Sequence, residues 1–250
     1  MIVTVHQPHF VPWLGYLHRM VQADLFIILD HVQFERRNYQ NRTMIRFDGE
    51  ARWLSVPVEQ HSQKERIADK RIDNSLHGTS RWWSSCHFQT IRQAYRDAPF
   101  FADYASALRR MFETRYERLV DLNTALLELL RDAYGIRTPL VRSSELDVSG
   151  AKSELILNLC RAVGADALLA GLGGSRDYLD KAAFQREGVR IEYQQFDHPV
   201  YQQCGAAPFI KGLSSLDLLF NRGPEAARLL REGGVDLPGR IAAEGARVAA

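Results

Sequence analysis

The stretch that decides how this chain folds is Ile2-Val-Thr-Val-His6-Gln-Pro-His-Phe-Val-Pro12-Trp-Leu-Gly-Tyr16, followed by Leu25-Phe-Ile-Ile-Leu29-Asp30. Ile2 to Val5 is a β-branched run stopped by His6-Gln7-Pro8, the pattern of a strand that ends at a proline. Pro12 stands where a helix could open, and Trp13, Leu14, Leu17, Met20 and Val21 follow at helical spacing. Leu25 to Leu29 is apolar without interruption, as expected of a central strand in a parallel sheet. Strand, helix and strand within thirty residues predict a βαβ unit.

Outward from this unit the texture changes. His31 to Thr43 is polar and crowded with Arg36, Arg37, Asn38, Gln40, Asn41 and Arg42. Thr43 to Arg46 and Arg52 to Val58 predict a hairpin turned at Asp48-Gly49. Thr79 to Tyr134 carries helical periodicity, broken at Asp97-Ala-Pro99. Strands are then expected at Pro139–Arg142, Ala167–Ala170 and Val189–Gln194. Helices are expected at Glu154–Val163 and Arg176–Gln185. The fold expected is a mostly parallel, Rossmann-like (nucleotidyltransferase-like) α/β sheet with a small β-hairpin. Residues 1–222 should form one domain with a helical segment at about 77–135 inserted in it or packed on it. Residues 223–250 should give a helix and a loose tail.

Composition excludes several classes. With 32 Lys and Arg against 30 Asp and Glu the net charge is +2, so DNA is not an expected partner. The 46% hydrophobic and 25% charged fractions are those of an ordinary folded protein. Three scattered cysteines form neither a disulfide framework nor a zinc motif, and no apolar run is long enough for a membrane span. With no signal-peptide pattern at the start, the expected location is the cytoplasm. Self-association into a homo-oligomer stays open.

Ligands of open α/β sheets bind beyond the carboxyl ends of the strands. Four segments are expected to converge there: His6–Tyr16, Asp30–Arg42, Ser143–Ser153 and Gly171–Asp180. His6 and Asp30 are the candidate catalytic residues. The candidate phosphate ligands are Gly15, Lys152, Ser153, Gly174 and Arg176, all near helix starts, where free N–H groups favour anions. Amides and guanidinium groups in the polar run suit a sugar, phosphate or carboxylate. Each has a structural alternative: His6 as a packed histidine, Trp13 and Tyr16 as core, Ser149 as a plain helix cap, the arginine run as a solvated loop. His9 and His18 read as incidental. The strand-loop-helix opening shares only a glycine with the H-x-G-H phosphate loop of nucleotidyltransferases, since Trp13-Leu-Gly-Tyr16 stands in its place.

In order along the chain, His6-Gln-Pro-His-Phe-Val-Pro-Trp-Leu-Gly-Tyr16, Asp30-His-Val-Gln-Phe34, Gln40-Asn-Arg42, Trp53-Leu-Ser-Val-Pro57, Ser143-Ser-Glu-Leu146, Tyr178-Leu-Asp180, His198-Pro-Val-Tyr201 and Leu216-Asp-Leu-Leu-Phe-Asn221 resemble the WbqC-like proteins. The departures are His9, where asparagine is usual, and Gly173-Gly174 in the loop before Tyr178. The resemblance implies an enzyme of surface-polysaccharide (O-antigen) or related small-molecule biosynthesis. The reaction expected on that basis transfers or ligates an acyl or aminoacyl group onto an amino sugar or other amine. His6 would be its general base, with Gln7, Trp13, Tyr16, Gln33, Asn38, Asn41, Arg42, Tyr178 and His198 around the substrate. If ATP activates the acid, Mg²⁺ would accompany it, with Asp30 or Asp177 as a ligand; a charged tRNA is another possible donor. The alternatives are a nucleotidyl- or adenylyl-transfer enzyme, and a non-catalytic protein that binds a nucleotide sugar.

Overall fold

The computed structural model describes residues 1–60, 62, 64–171, 173, 178–205 and 208–232. Five parallel strands form the main sheet: β1 (Ile2–His6), β2 (Leu25–Ile28), β5 (Leu140–Arg142), β6 (Ala167–Ala170) and β7 (Arg190–Tyr193). Their order is β5-β2-β1-β6-β7, so the chain winds outward one way from β1 and then restarts on its other side. The reversal falls between β1 and β6, which is where such sheets open a crevice. A separate antiparallel pair, β3 (Arg42–Phe47) and β4 (Glu50–Ser55), turns at Asp48 and Gly49. Both turn residues have positive φ, 51° and 81°, as a tight two-residue hairpin requires.

Side-chain alternation divides the sheet between two hydrophobic layers. Phe26 and Ile28 point to the side of α1 (Leu14–Val21), while Val3, Ile27 and Leu168 point to that of α5 (Lys152–Ala162) and α6 (Lys181–Arg186). The insertion between β2 and β5 carries the hairpin and three helices, α2 (Trp83–Tyr95), α3 (Phe101–Glu113) and α4 (Leu119–Ala133). Its apolar faces share one continuous core with α1 and with α7 (Ser215–Arg222). Each fully buried leucine or phenylalanine there contributes about 1.5–3 kcal/mol. Thr4, fully buried, ties the central strands together by donating to the Leu169 carbonyl at 2.8 Å.

Local chemistry shifted several boundaries. Pro12 precedes α1 rather than opening it, because Trp13 takes an extended conformation and bridges to Ser214. Within the span where a helix was expected from Arg176, Tyr178 is helical and a helix then runs over Lys181–Arg186, capped where the Asp180 carboxylate accepts from the Ala183 N–H at 3.0 Å. The C-terminal helix is short, α8 (Ala226–Glu232); the tail expected after it lies outside the described residues. No described helix is long and apolar enough to cross a membrane.

Candidate active site at the β1/β6 crevice

Beyond the carboxyl ends of β1 and β6 lies a cavity of about 390 Å³, walled by His6, Gln7, Arg19, Glu35, Gly171 and Tyr178 among others. His6 ends the central strand. Its Nδ1 lies 2.9 Å from the Gln7 carbonyl oxygen, an atom that can only accept, so Nδ1 carries the proton and Nε2 keeps a lone pair. Burial, with the nearby His9 and Arg19, holds its pKa well below the usual value, so the ring is neutral at pH 7.

Behind His6 the aromatic rings close up. His9 meets it edge-on at 4.6 Å, Tyr16 lies 4.7 Å away, and Tyr39 stacks on His9 at 5.4 Å. Burial first, then Arg19, pushes the His9 pKa down to about 3. Burial also raises the Tyr16 phenol, which therefore stays an O–H donor. His9 Nδ1 and Tyr16 Oη are buried with no hydrogen-bond partner. Such orphans cost about 1–3 kcal/mol each. The loop carrying His9 is strained as well: Val11, β-branched and buried, sits at φ 44°, a left-handed conformation costing on the order of 1–3 kcal/mol.

Arg19, from the last turn of α1, is 8% exposed. Its Nε donates to Gln194 Oε1 at 3.1 Å, and Gln194 is itself fixed because its Nε2 donates to the Gly15 carbonyl (2.8 Å) and His18 Nδ1 (3.0 Å). Among the described residues no carboxylate lies within ion-pair distance of Arg19. Burial lowers its pKa to about 10, partly offset by the Tyr16 and Tyr178 phenols, and it remains a cation at neutral pH. Elsewhere in the lining, Gln7 Oε1 accepts from Gln40 Nε2 (2.8 Å), and Glu35 Oε2 accepts from Asn38 Nδ2 (2.9 Å).

Of the residues expected from sequence, His6, Gln7 and Tyr178 line the crevice and Tyr16 backs it. Asp30 stands at the neighbouring strand end, fully buried. One of its carboxylate oxygens accepts from Ser143 Oγ (3.0 Å) and the Ser144 N–H (2.9 Å), the other from Ser144 Oγ (2.7 Å). It thereby joins β2 to β5. Gly15 gives room to the Trp13 indole, which a Cβ would meet at 2.1 Å, so its bareness serves packing rather than phosphate.

The remaining expected residues that are described do not line this crevice. Gln33 pairs with Arg66 and walls a separate cavity. Asn41 donates to the Val56 carbonyl, while Arg42 donates to the Arg37 carbonyl and lies 4.1 Å over the Trp53 ring. Ser153 Oγ accepts from the Asp180 N–H, and the adjacent Lys152 is exposed. His198 Nδ1 donates to the Pro199 carbonyl while its Nε2 accepts from the Gly212 N–H at 3.3 Å. Gly174, Arg176 and Asp177 lie outside the described residues.

Sequence reasoning missed Arg19, Gly171 and Gln194, and passed over His9. One signal was available for Arg19: seven of the eight residues of α1 are buried, and so apolar a segment leaves an arginine no solvent face. A magnesium site finds no support among the described residues. Both Asp30 oxygens are engaged, and no three His, Cys, Asp or Glu side chains gather.

Residues 7–229 match the WbqC-like protein family. The chain belongs to that family. The uncharacterized protein Rv1507c of Mycobacterium tuberculosis is 31% identical over 231 residues, 92% of this chain and 97% of its own length. No solved structure matches this chain. The WbqC-like match spans the crevice walls from Gln7 to Gln194 as well as the insertion.

Proposed function

We propose that this chain is an enzyme of surface-polysaccharide or related small-molecule biosynthesis that acylates an amine, the β1/β6 crevice being its active site. The observation that carries this reading is the His6 imidazole. It is neutral, with its Nδ1 proton committed to the Gln7 carbonyl and its Nε2 lone pair unclaimed, at the topological reversal of the sheet. A neutral imidazole in that tautomer is equipped to take a proton from an attacking amine.

In the reaction the amine nitrogen attacks the acyl carbon. The new C–N bond forms as the bond from that carbon to the leaving group breaks, and the amine proton passes to His6 Nε2. Glu35, its carboxylate steadied by Asn38, is placed to attract the amine while it is protonated in solution.

Incubation with nucleotide-linked amino sugars and, in turn, acyl thioesters, acyl adenylates and aminoacyl-tRNA, read by mass spectrometry, tests the reading. The expected result is an amide product with one donor class. Saturable binding of a nucleotide sugar with no covalent product under any donor would replace the enzyme by a binding protein.

A further inference from the structure

Resting on the reading of the crevice as a substrate site, we infer that Arg19 is the counter-charge for an oxyanion of the substrate, phosphoryl or carboxylate, bound between the ends of β1 and β6. Three strand ends cooperate in placing its guanidinium. Arg19 rises from the helix after β1, Gln194 follows β7 and accepts from its Nε, and Gly171 follows β6. A Cβ at Gly171 would lie 2.3 Å from Nη2 and 2.9 Å from Cζ of Arg19. Gly171 has no left-handed φ, so the backbone there would accept any residue. What its bareness provides is space for the cation.

The chemistry of the surroundings points the same way. An isolated charge in a protein interior is expensive, and buried charges are ordinarily paired. Here the guanidinium has one neutral amide partner and, among the described residues, no carboxylate within 4.0 Å, yet it faces a cavity of about 390 Å³. Tyr178, 44% exposed on the same wall, adds a phenolic donor. Unlike lysine, arginine offers a planar fork that binds two oxygens of a phosphate or carboxylate at once. Glu35, which also lines the cavity, disfavours a second anion and favours a substrate that carries an amine as well. The ligand class is therefore an amine-bearing molecule or donor with one oxyanion.

Binding measured without turnover separates this inference from the acyl-transfer reading. Isothermal titration with pyrophosphate, uridine diphosphate and malonate, with no amine or acyl donor present, should show at least one of them binding the wild-type chain. Arg19→Gln should weaken that affinity at least tenfold, and Arg19→Lys should recover part of it. Gly171→Ala keeps the charge but crowds the guanidinium, and should weaken the same ligand at least fivefold with unchanged circular dichroism. Binding of the phosphates alone identifies a phosphorylated substrate, and binding of malonate alone a carboxylate-bearing one. If the wild type binds none of the three, or if the folded Gly171→Ala and Arg19→Lys proteins both bind within twofold of it, the inference falls. Acyl transfer through His6 would remain open in either case.

Discussion

Two buried polar clusters in this protein differ in one respect. Around Asp217, on α7, both carboxylate oxygens have work within the fold. Its carboxylate accepts from Tyr95 Oη (3.0 Å), Tyr201 Oη (2.7 Å) and Gln203 Nε2 (2.7 Å). Arg46 in turn donates to Gln203 Oε1 at 2.6 Å. Around His6, by contrast, the Tyr16 hydroxyl and His9 Nδ1 are buried without partners and Arg19 has, among the described residues, no acid within ion-pair distance. The first cluster fastens the hairpin, α2 and α7 together through a shared hydrogen-bond network. The second keeps bonding capacity that the fold does not use, and that surplus supports the proposal of a substrate site there. His198 and His6 repeat the contrast in miniature: both commit Nδ1 to a carbonyl, but only His198 has a backbone N–H on Nε2.

The comparison breaks first at His6. His6→Ala should lower kcat/KM by about 10²–10⁴-fold, the usual worth of a general base, while shifting the melting temperature little; an unchanged rate removes the catalytic assignment. Asp217→Ala should do the reverse, costing about 3–5 kcal/mol of stability because buried partners lose their acceptor, as measured by urea unfolding. If Asp217→Ala instead abolished turnover in a fully stable protein, the two clusters would have been assigned the wrong way round.

His9 sharpens the contrast through pH. Its pKa falls from 6.5 to about 3 on folding, so below pH 6.5 the unfolded chain takes up a proton that the native chain refuses. Stability is therefore lost as pH drops from about 6.5 toward 3, by about 2 kcal/mol between pH 6.5 and 5 from this group. His9→Asn should be less sensitive to acid over that interval by that amount. Equal pH slopes for the two proteins would refute the burial effect. The smallest effect comes from a tyrosine pair. Tyr201→Phe should cost about 1–3 kcal/mol, since it removes a donor from a buried carboxylate. Tyr16→Phe removes a buried hydroxyl with no partner, so it should instead raise stability by about 1 kcal/mol or more in the same urea unfolding.

The skeleton of the fold was legible because its signals are local. The Ile2–Val5 and Leu25–Leu29 runs, the Asp48-Gly49 turn and the apolar Ala167–Ala170 segment each carry their own periodicity or turn chemistry. His6 was legible for the same reason, as a polar side chain at the end of a strand. The misreadings came where a role depends on distant neighbours. Gly15 looked like a phosphate glycine until the Trp13 ring filled its space. Asp30 looked like a free acid until Ser143 and Ser144, more than a hundred residues away, took both its oxygens. Arg19 and Gln194, 175 residues apart, share no local pattern at all.

The central position of β1 also has a consequence for how the protein comes to life on the ribosome. His6, Tyr16 and Arg19 are synthesised well before the strand that flanks them: Thr4 and its partner Leu169 are separated by 165 residues. At translation rates of about 5–20 residues per second, the opening segment waits on the order of ten seconds or more before β6 arrives beside it. During that interval a buried-to-be cation and two histidines remain solvated, so the crevice takes shape only once β6 has paired.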